Sequence, residues 1–260
     1  MHFLIQPLFS LCGLVVGLLV GLTGVGGGSL MTPLLVLVFG IHANTAVGTD
    51  LLYASATNTA GTAVHGWRGR VDWRIVRRLA LGSVPATLVT LLLMARFGGH
   101  LDSRHGVTAT VLGVALLFTA ASIFLRKRIL GALDERMARL NPGTIAAITV
   151  MVGAMMGVLV SLSSVGAGAI GMTALLALYP ATPASRLVGS DIAHAVPLTL
   201  LGGLGHGLMG AVDLGLLASL LLGSIPGVIL GGLLAARTPD RVLRPILAST
   251  LAIVGGRLLF

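Results

Sequence analysis

The sequence predicts an all-α integral membrane protein: about ten transmembrane or half-spanning helices in two inverted five-segment repeats, with helices broken at glycine motifs. Three observations carry this expectation. The 260 residues are 55% hydrophobic and only 10% charged, with a mean hydropathy of +1.01. A set of short blocks recurs in register between the two halves of the chain. The basic residues gather on one side of the alternating apolar segments.

At about 20 residues per crossing, spans and short loops fill the chain and leave no room for a soluble domain. The 37 glycines suit membrane helices that pack closely, and with 4% aromatics the core is sealed by Leu, Val, Ala and Gly. The net charge of +9 is a topology signal. Its arginines lie beside apolar spans and are not interleaved with stacking aromatics, so no nucleic-acid partner is expected; the bilayer is the partner. Cys12 stands alone and forms no intramolecular disulfide. The run from Phe3 to Leu22 lacks a basic n-region and has a counterpart later in the chain, so it reads as a retained span.

Apolar segments run at 3–23, 29–40, 44–64, 79–97 and 107–125, then at 143–162, 168–180, 185–205, 214–236 and 242–259. The segments at 29–40 and 168–180 are short for a full crossing and read as half-helices that dip into the protein. The first repeat is residues 1–125, a cytoplasmic linker follows at 126–142, and the inverted second repeat is 143–260.

The register of the repeat is tight. Val47-Gly48-Thr49-Asp50 returns as Val188-Gly189-Ser190-Asp191, and His65-Gly66 returns as His206-Gly207. Leu81-Gly82-Ser83-Val84-Pro85 returns as Leu222-Gly223-Ser224-Ile225-Pro226, all 141 positions on. The glycine break matches at 140. Arg68, Arg70, Arg74, Arg77 and Arg78 follow the third segment, whereas the equivalent stretch, His206 to Leu214, holds no Lys or Arg. The positive-inside rule puts these matched stretches on opposite faces, which requires inversion and an odd number of crossings per half. Fourteen of the 17 basic residues then fall on the cytoplasmic side, with both termini outside.

The chemistry is expected at the breaks. Thr23 to Ser29, with Gly26, Gly27 and Gly28, interrupts one apolar run; Ser161 to Ala169, with Ser163, Ser164, Gly166 and Gly168, interrupts its counterpart. A helix that restarts inside a membrane exposes backbone N–H groups that hydrocarbon cannot satisfy, and an anionic ligand can. Thr23, Ser29, Ser163 and Ser164 add hydroxyl donors. Close packing through glycine is the alternative. Asp50 and Asp191 lie within apolar segments at equivalent places and suggest proton coupling or cation coordination, against the alternative of a half-hydrated helix-start carboxylate. Tyr53, Thr57, Asn58 and Gly61 share the Asp50 stripe, and His194 follows Asp191 by one turn. His65 and His206 end their helices, as dipole partners or as proton relays.

Gly24-Val25-Gly26-Gly27-Gly28-Ser29…Pro33, Ala46-Val47-Gly48-Thr49-Asp50, Gly69-Arg70-Val71-Asp72-Trp73 and Leu81-Gly82-Ser83-Val84-Pro85 resemble the sulfite exporter TauE/SafE family, also called the toluene-sulfonate uptake permease group. The resemblance covers essentially the whole chain. It implies an inner-membrane permease for small sulfur-containing anions such as sulfite or sulfonates, coupled to an ion gradient. Many members carry a small hydroxyl residue where Asp50 and Asp191 stand here, and Thr173 replaces the mapped Pro33. The leading expectation is a secondary transporter, not an enzyme, with its anion between the breaks and no cofactor, resident metal or catalytic residue; a homodimer is allowed for. A cation transporter using the aspartates and histidines is the alternative. An intramembrane aspartyl hydrolase is the remaining one.

Overall fold

The structure is a computed structural model and describes residues 6–23, 28–101, 107–137, 140–166 and 168–234. Among these the chain is helical throughout: α1 (Pro7–Thr23), α2 (Gly28–Leu37), α3 (Ala43–Trp67), α4 (Trp73–Leu101), α5 (Val107–Met137), α6 (Pro142–Ser163), α7 (Ala169–Leu178), α8 (Ala184–Leu208) and α9 (Leu214–Leu234). The expected last segment, 242–259, lies outside the described residues. Among the described residues four helices, α4, α6, α8 and α9, are long and apolar enough to cross a membrane. Their outward faces carry exposed side chains such as Leu81, Leu92, Met151 and Leu230, which suit lipid.

The 10-residue helices α2 and α7 are only about 15 Å long at 1.5 Å per residue. That is half of a hydrocarbon core of about 30 Å, too short for a full crossing.

Two boundaries differ from the sequence expectation. Helix α4 starts at Trp73, not 79, so Arg74, Arg77 and Arg78 form its first turns. Asp72 starts it by accepting the Arg74 N–H at 2.9 Å. Helix α5 continues to Met137 through the stretch read as a linker. Both differences have one cause: hydropathy marks where hydrocarbon ends, and a helix rich in Arg, Leu and Ala continues into water. Helix α6 begins as its sequence requires, with Asn141 capping the Thr144 N–H at 2.7 Å and Pro142 in the first turn.

Two seams hold the bundle together, and both are built from glycine. In the first, Gly13, Gly17 and Gly21 of α1 meet the backbone of Leu220, Ser224 and Val228 of α9, while Gly223 of α9 meets Ser10. In the second, Gly153 and Gly157 of α6 meet Leu79 and Ser83 of α4, while Gly82 of α4 meets Val150. A Cβ at Gly17 would lie 2.5 Å from the Ser224 carbonyl oxygen, and one at Gly157 would lie 2.6 Å from that of Ser83. No side chain fits there. The Gly13, Gly17 and Gly223 contacts of the first seam are those of Gly153, Gly157 and Gly82 in the second, displaced by the repeat offset.

The same exchange holds elsewhere. The Asp72 N–H donates to Ser190 Oγ at 2.8 Å, and the Asp213 N–H donates to Thr49 Oγ1 at 3.0 Å. Gly48 packs on Ala211 and His206, and Gly189 packs on Arg70 and His65. Phe9 meets Phe39 edge to face with centroids 4.7 Å apart; at the matched places Thr149 and Tyr179 share a 2.8 Å hydrogen bond, and Arg78 donates to the Tyr179 hydroxyl at 3.1 Å. Helices α3 and α8 cross antiparallel, because Gly61 faces Ile192 while Gly202 and Gly203 face Leu51 and Leu52.

Candidate functional site

Helix α3 is polar for a membrane helix, and its polar side is turned inward: Asp50, Tyr53, Thr57 and Asn58 are buried. A short loop reverses the chain between α2 and α3, which brings Thr32 beside Asp50. The Asp50 Oδ2 accepts a hydrogen bond from the Thr32 N–H at 3.2 Å, another from the Thr32 hydroxyl, and a third from the Ser164 hydroxyl at 3.0 Å. Ser164 belongs to the second break. Its backbone is left-handed (φ 57°) at the C-terminal cap of α6, followed by Gly166 at φ 111°. One carboxylate thus joins half-helix α2, helix α3 and the break of the other half. Asp50 Oδ1 is buried without a partner among the described residues.

The other expected residues divide. Ser163 serves the break itself: its hydroxyl donates to the Leu159 carbonyl at 2.7 Å and accepts the Val165 N–H at 3.2 Å. Gly166 and Gly168 are buried in the break. Asp191 is buried against α7, where a Cβ at Gly171 would lie 2.6 Å from its Oδ1; that oxygen too lacks a partner among the described residues. His194 Nε2 and Ser83 Oγ are 2.8 Å apart, fully buried. His206 Nε2 lies 2.9 Å from the Ser161 carbonyl oxygen, so this histidine ties α8 to α6 and is not merely a partner of its own helix end. Gly26 and Gly27 lie outside the described residues. Gly28 opens α2, and the side chains of Thr23 and Ser29 lie outside what the structure describes.

Asn58 and His65 line a cavity of about 20 Å³, enough for one water-sized group, with Gly21, Thr57, Ile192 and Gly232 also in its wall. The matched place in the other half is shut. There His206 holds Ser161, and Leu91 packs directly on Gly205, whereas a Cβ at Gly232, the residue matched to Leu91, would stand 4.0 Å from Val64.

Two residues of this network were not singled out from the sequence. Thr32 is hidden inside an apolar run, between Met31 and Pro33. Ser83 sits in a block that stands out for its repeat and its family resemblance, not for its hydroxyl. Ser83 stands beside a repeated glycine, Gly82, which was its one signal; Thr32 carried none.

Such an arrangement can hold a negative charge and exchange a proton. It suits hydrolysis poorly, since no hydrogen bond joins Asp50 to Asp191 and each has its own surroundings. Among the described residues no three His, Cys, Asp or Glu side chains converge as a bound metal would need.

The chain is 39% identical over 250 residues to "Probable membrane transporter protein YjnA" of Bacillus subtilis (strain 168), covering 96% of this chain and 98% of that protein. It is 28% identical over 255 residues to "Probable membrane transporter protein YdhB" of the same organism, covering 95% and 97%. A third relative, a "Probable membrane transporter protein" of Methanocaldococcus jannaschii, is 27% identical over 208 residues, covering 77% of this chain and 72% of the relative. No solved structure matches significantly. The profile of the sulfite exporter TauE/SafE family matches residues 9–258, and the chain belongs to that family: it is a membrane transporter and not an enzyme.

Proposed function

We propose that this transporter is a multi-pass inner-membrane permease that moves a small sulfur-containing anion, sulfite or an organosulfonate, together with protons. The anion binds at the second break, where Ser164 meets Asp50 beside Thr32 of α2, between inverted repeats. The observation that carries this reading is the Asp50 carboxylate, held by a backbone N–H and two hydroxyls drawn from both halves of the chain. A place that already binds one oxyanion with hydroxyl and amide donors has the chemistry to bind another. The exchanged seam contacts and the antiparallel α3–α8 crossing support the inversion, and the arginine distribution supports the sidedness. Access alternates between the cavity at Asn58 and its closed counterpart, which is the expected behaviour of inverted repeats around a central site.

A thermal-shift screen of the purified protein against sulfite, thiosulfate, sulfonates and divalent cations tests the cargo. Sulfite or a sulfonate is expected to raise Tm, by an amount that grows with concentration. Ser164→Leu, which fills the break, is expected to erase that response. Stabilisation by a divalent cation alone would instead identify a cation transporter. Sidedness has its own test. In a Cys12→Ser background, Asn58→Cys is expected to react with an impermeant maleimide from the cytoplasmic face, while the matched Thr199→Cys stays protected. The reverse pattern would overturn the assignment of the open side.

A further inference from the structure

The donors that would receive the cargo are already taken. Asp50 Oδ2 holds the Thr32 N–H, the Thr32 hydroxyl and the Ser164 hydroxyl, and the fully buried Oδ1 has no partner among the described residues. Three donors on one oxygen and none on the other is an uneven way to brace a carboxylate. It is the pattern of a charge drawn to the point where α2 and the second break come closest. We propose that Asp50 is a resident anion of the cargo site: its ionised carboxylate and the transported anion exclude each other, so the cargo enters only with a proton on Asp50. This deepens the anion-permease reading and rests on it.

The exclusion follows from charge and from hydrogen-bond capacity. Two anions on the same hydroxyls, away from water, repel strongly. A protonated carboxyl changes role, since its O–H becomes a donor and its hold on Ser164 and Thr32 weakens. Those hydroxyls then turn to the cargo, and the Asp50 proton offers it one donor more. The proton and the anion therefore load together.

The surroundings leave Asp50 as the group that makes this exchange. Tyr53, buried on α3 one turn from Asp50, is its titratable neighbour on that helix. Half-helix α2 presents Thr32, and the break after α6 presents Ser164; both are uncharged. On α8, His194 is engaged with Ser83 and His206 with the Ser161 carbonyl. Asp191 lies against Gly171 of α7, and its Oδ1, like that of Asp50, has no partner among the described residues.

The experiment measures the binding of methanesulfonate, which keeps a single negative charge between about pH 5 and pH 8, to the purified full chain. For the wild type, the apparent Kd is expected to rise about tenfold per pH unit once Asp50 ionises, since each anion bound takes up one proton. Asp50→Asn and Asp50→Ala are expected to bind with a flat pH profile, and more tightly than the wild type at the alkaline end. Asp191→Asn is expected to keep the slope. If both Asp50 variants bind more weakly than the wild type at every pH, or retain its slope, Asp50 is a structural brace and the proposal is wrong. If no form of the protein binds methanesulfonate, sulfite or thiosulfate at any pH, the anion-permease reading itself fails, and this inference with it.

Discussion

Gly82→Ile is expected to leave no folded protein in the membrane, although the residue takes no part in the candidate site. A Cβ there would run into the carbonyl oxygen of Val150 and stand 2.7 Å from the Ala154 nitrogen. Both obstacles are backbone atoms of α6, so no rotamer change relieves them. Overpacking costs about 1–3 kcal/mol where side chains can move aside; here two helices must separate, and lipid supplies no hydrophobic force to bring them back. The loss should reach the net stability of an ordinary domain, about 5–15 kcal/mol. Gly223→Ile should be equally damaging, because Gly223 meets Ser10 as Gly82 meets Val150. Gly66→Ala is the control, since a Cβ at Gly66 has nothing within 4 Å. Size-exclusion profiles and thermal unfolding of the solubilised variants decide this. A monodisperse Gly82→Ile protein melting within a few degrees of the wild type would mean that α4 and α6 do not pack as described.

The seam was legible in the sequence for a physical reason. Glycine at a close crossing leaves a mark that duplication copies, so Gly82 and Gly223 stand out together in matched blocks. Asp50 and Asp191 stood out because a carboxylate is costly in an apolar run. The partners of these groups left no such mark. Ser164 meets Asp50 across 114 positions, and Ser83 meets His194 across 111; no local period encodes contacts at that range. Thr32 was hidden by its neighbours, being one hydroxyl in a stretch whose hydropathy belongs to Met31, Leu34 and Leu35. Helices α4 and α5 extend beyond the apolar segments at 79–97 and 107–125, because hydropathy marks the hydrocarbon-like stretch and not the helix end.

The repeat also separates what the two halves share from what they do not. Seam glycines, Thr49 with Asp213, and Ser190 with Asp72 recur as contacts, and these form the scaffold. Among the described residues the cavity at Asn58 does not recur opposite the His206–Ser161 contact. Differences between matched places are where a symmetric scaffold stores a direction.

Asp50→Asn combined with Asp191→Asn is expected to abolish gradient-driven transport while the protein stays folded and continues downhill exchange. Asparagine keeps the size of aspartate, and its carbonyl can still accept from Thr32 and Ser164, so the link between α2 and the second break survives. It cannot carry a proton. With one proton coupled to each anion, an imposed pH difference of one unit drives about tenfold accumulation; the double variant should accumulate nothing above equilibrium in reconstituted vesicles. Counterflow, in which labelled anion enters against unlabelled anion without any gradient, should persist. That pairing separates coupling from folding and from binding, because a misfolded protein would fail both assays. Full concentrative transport by the double variant would remove the aspartates from the coupling mechanism, and the proton would then have to be sought among His65, His194 and His206.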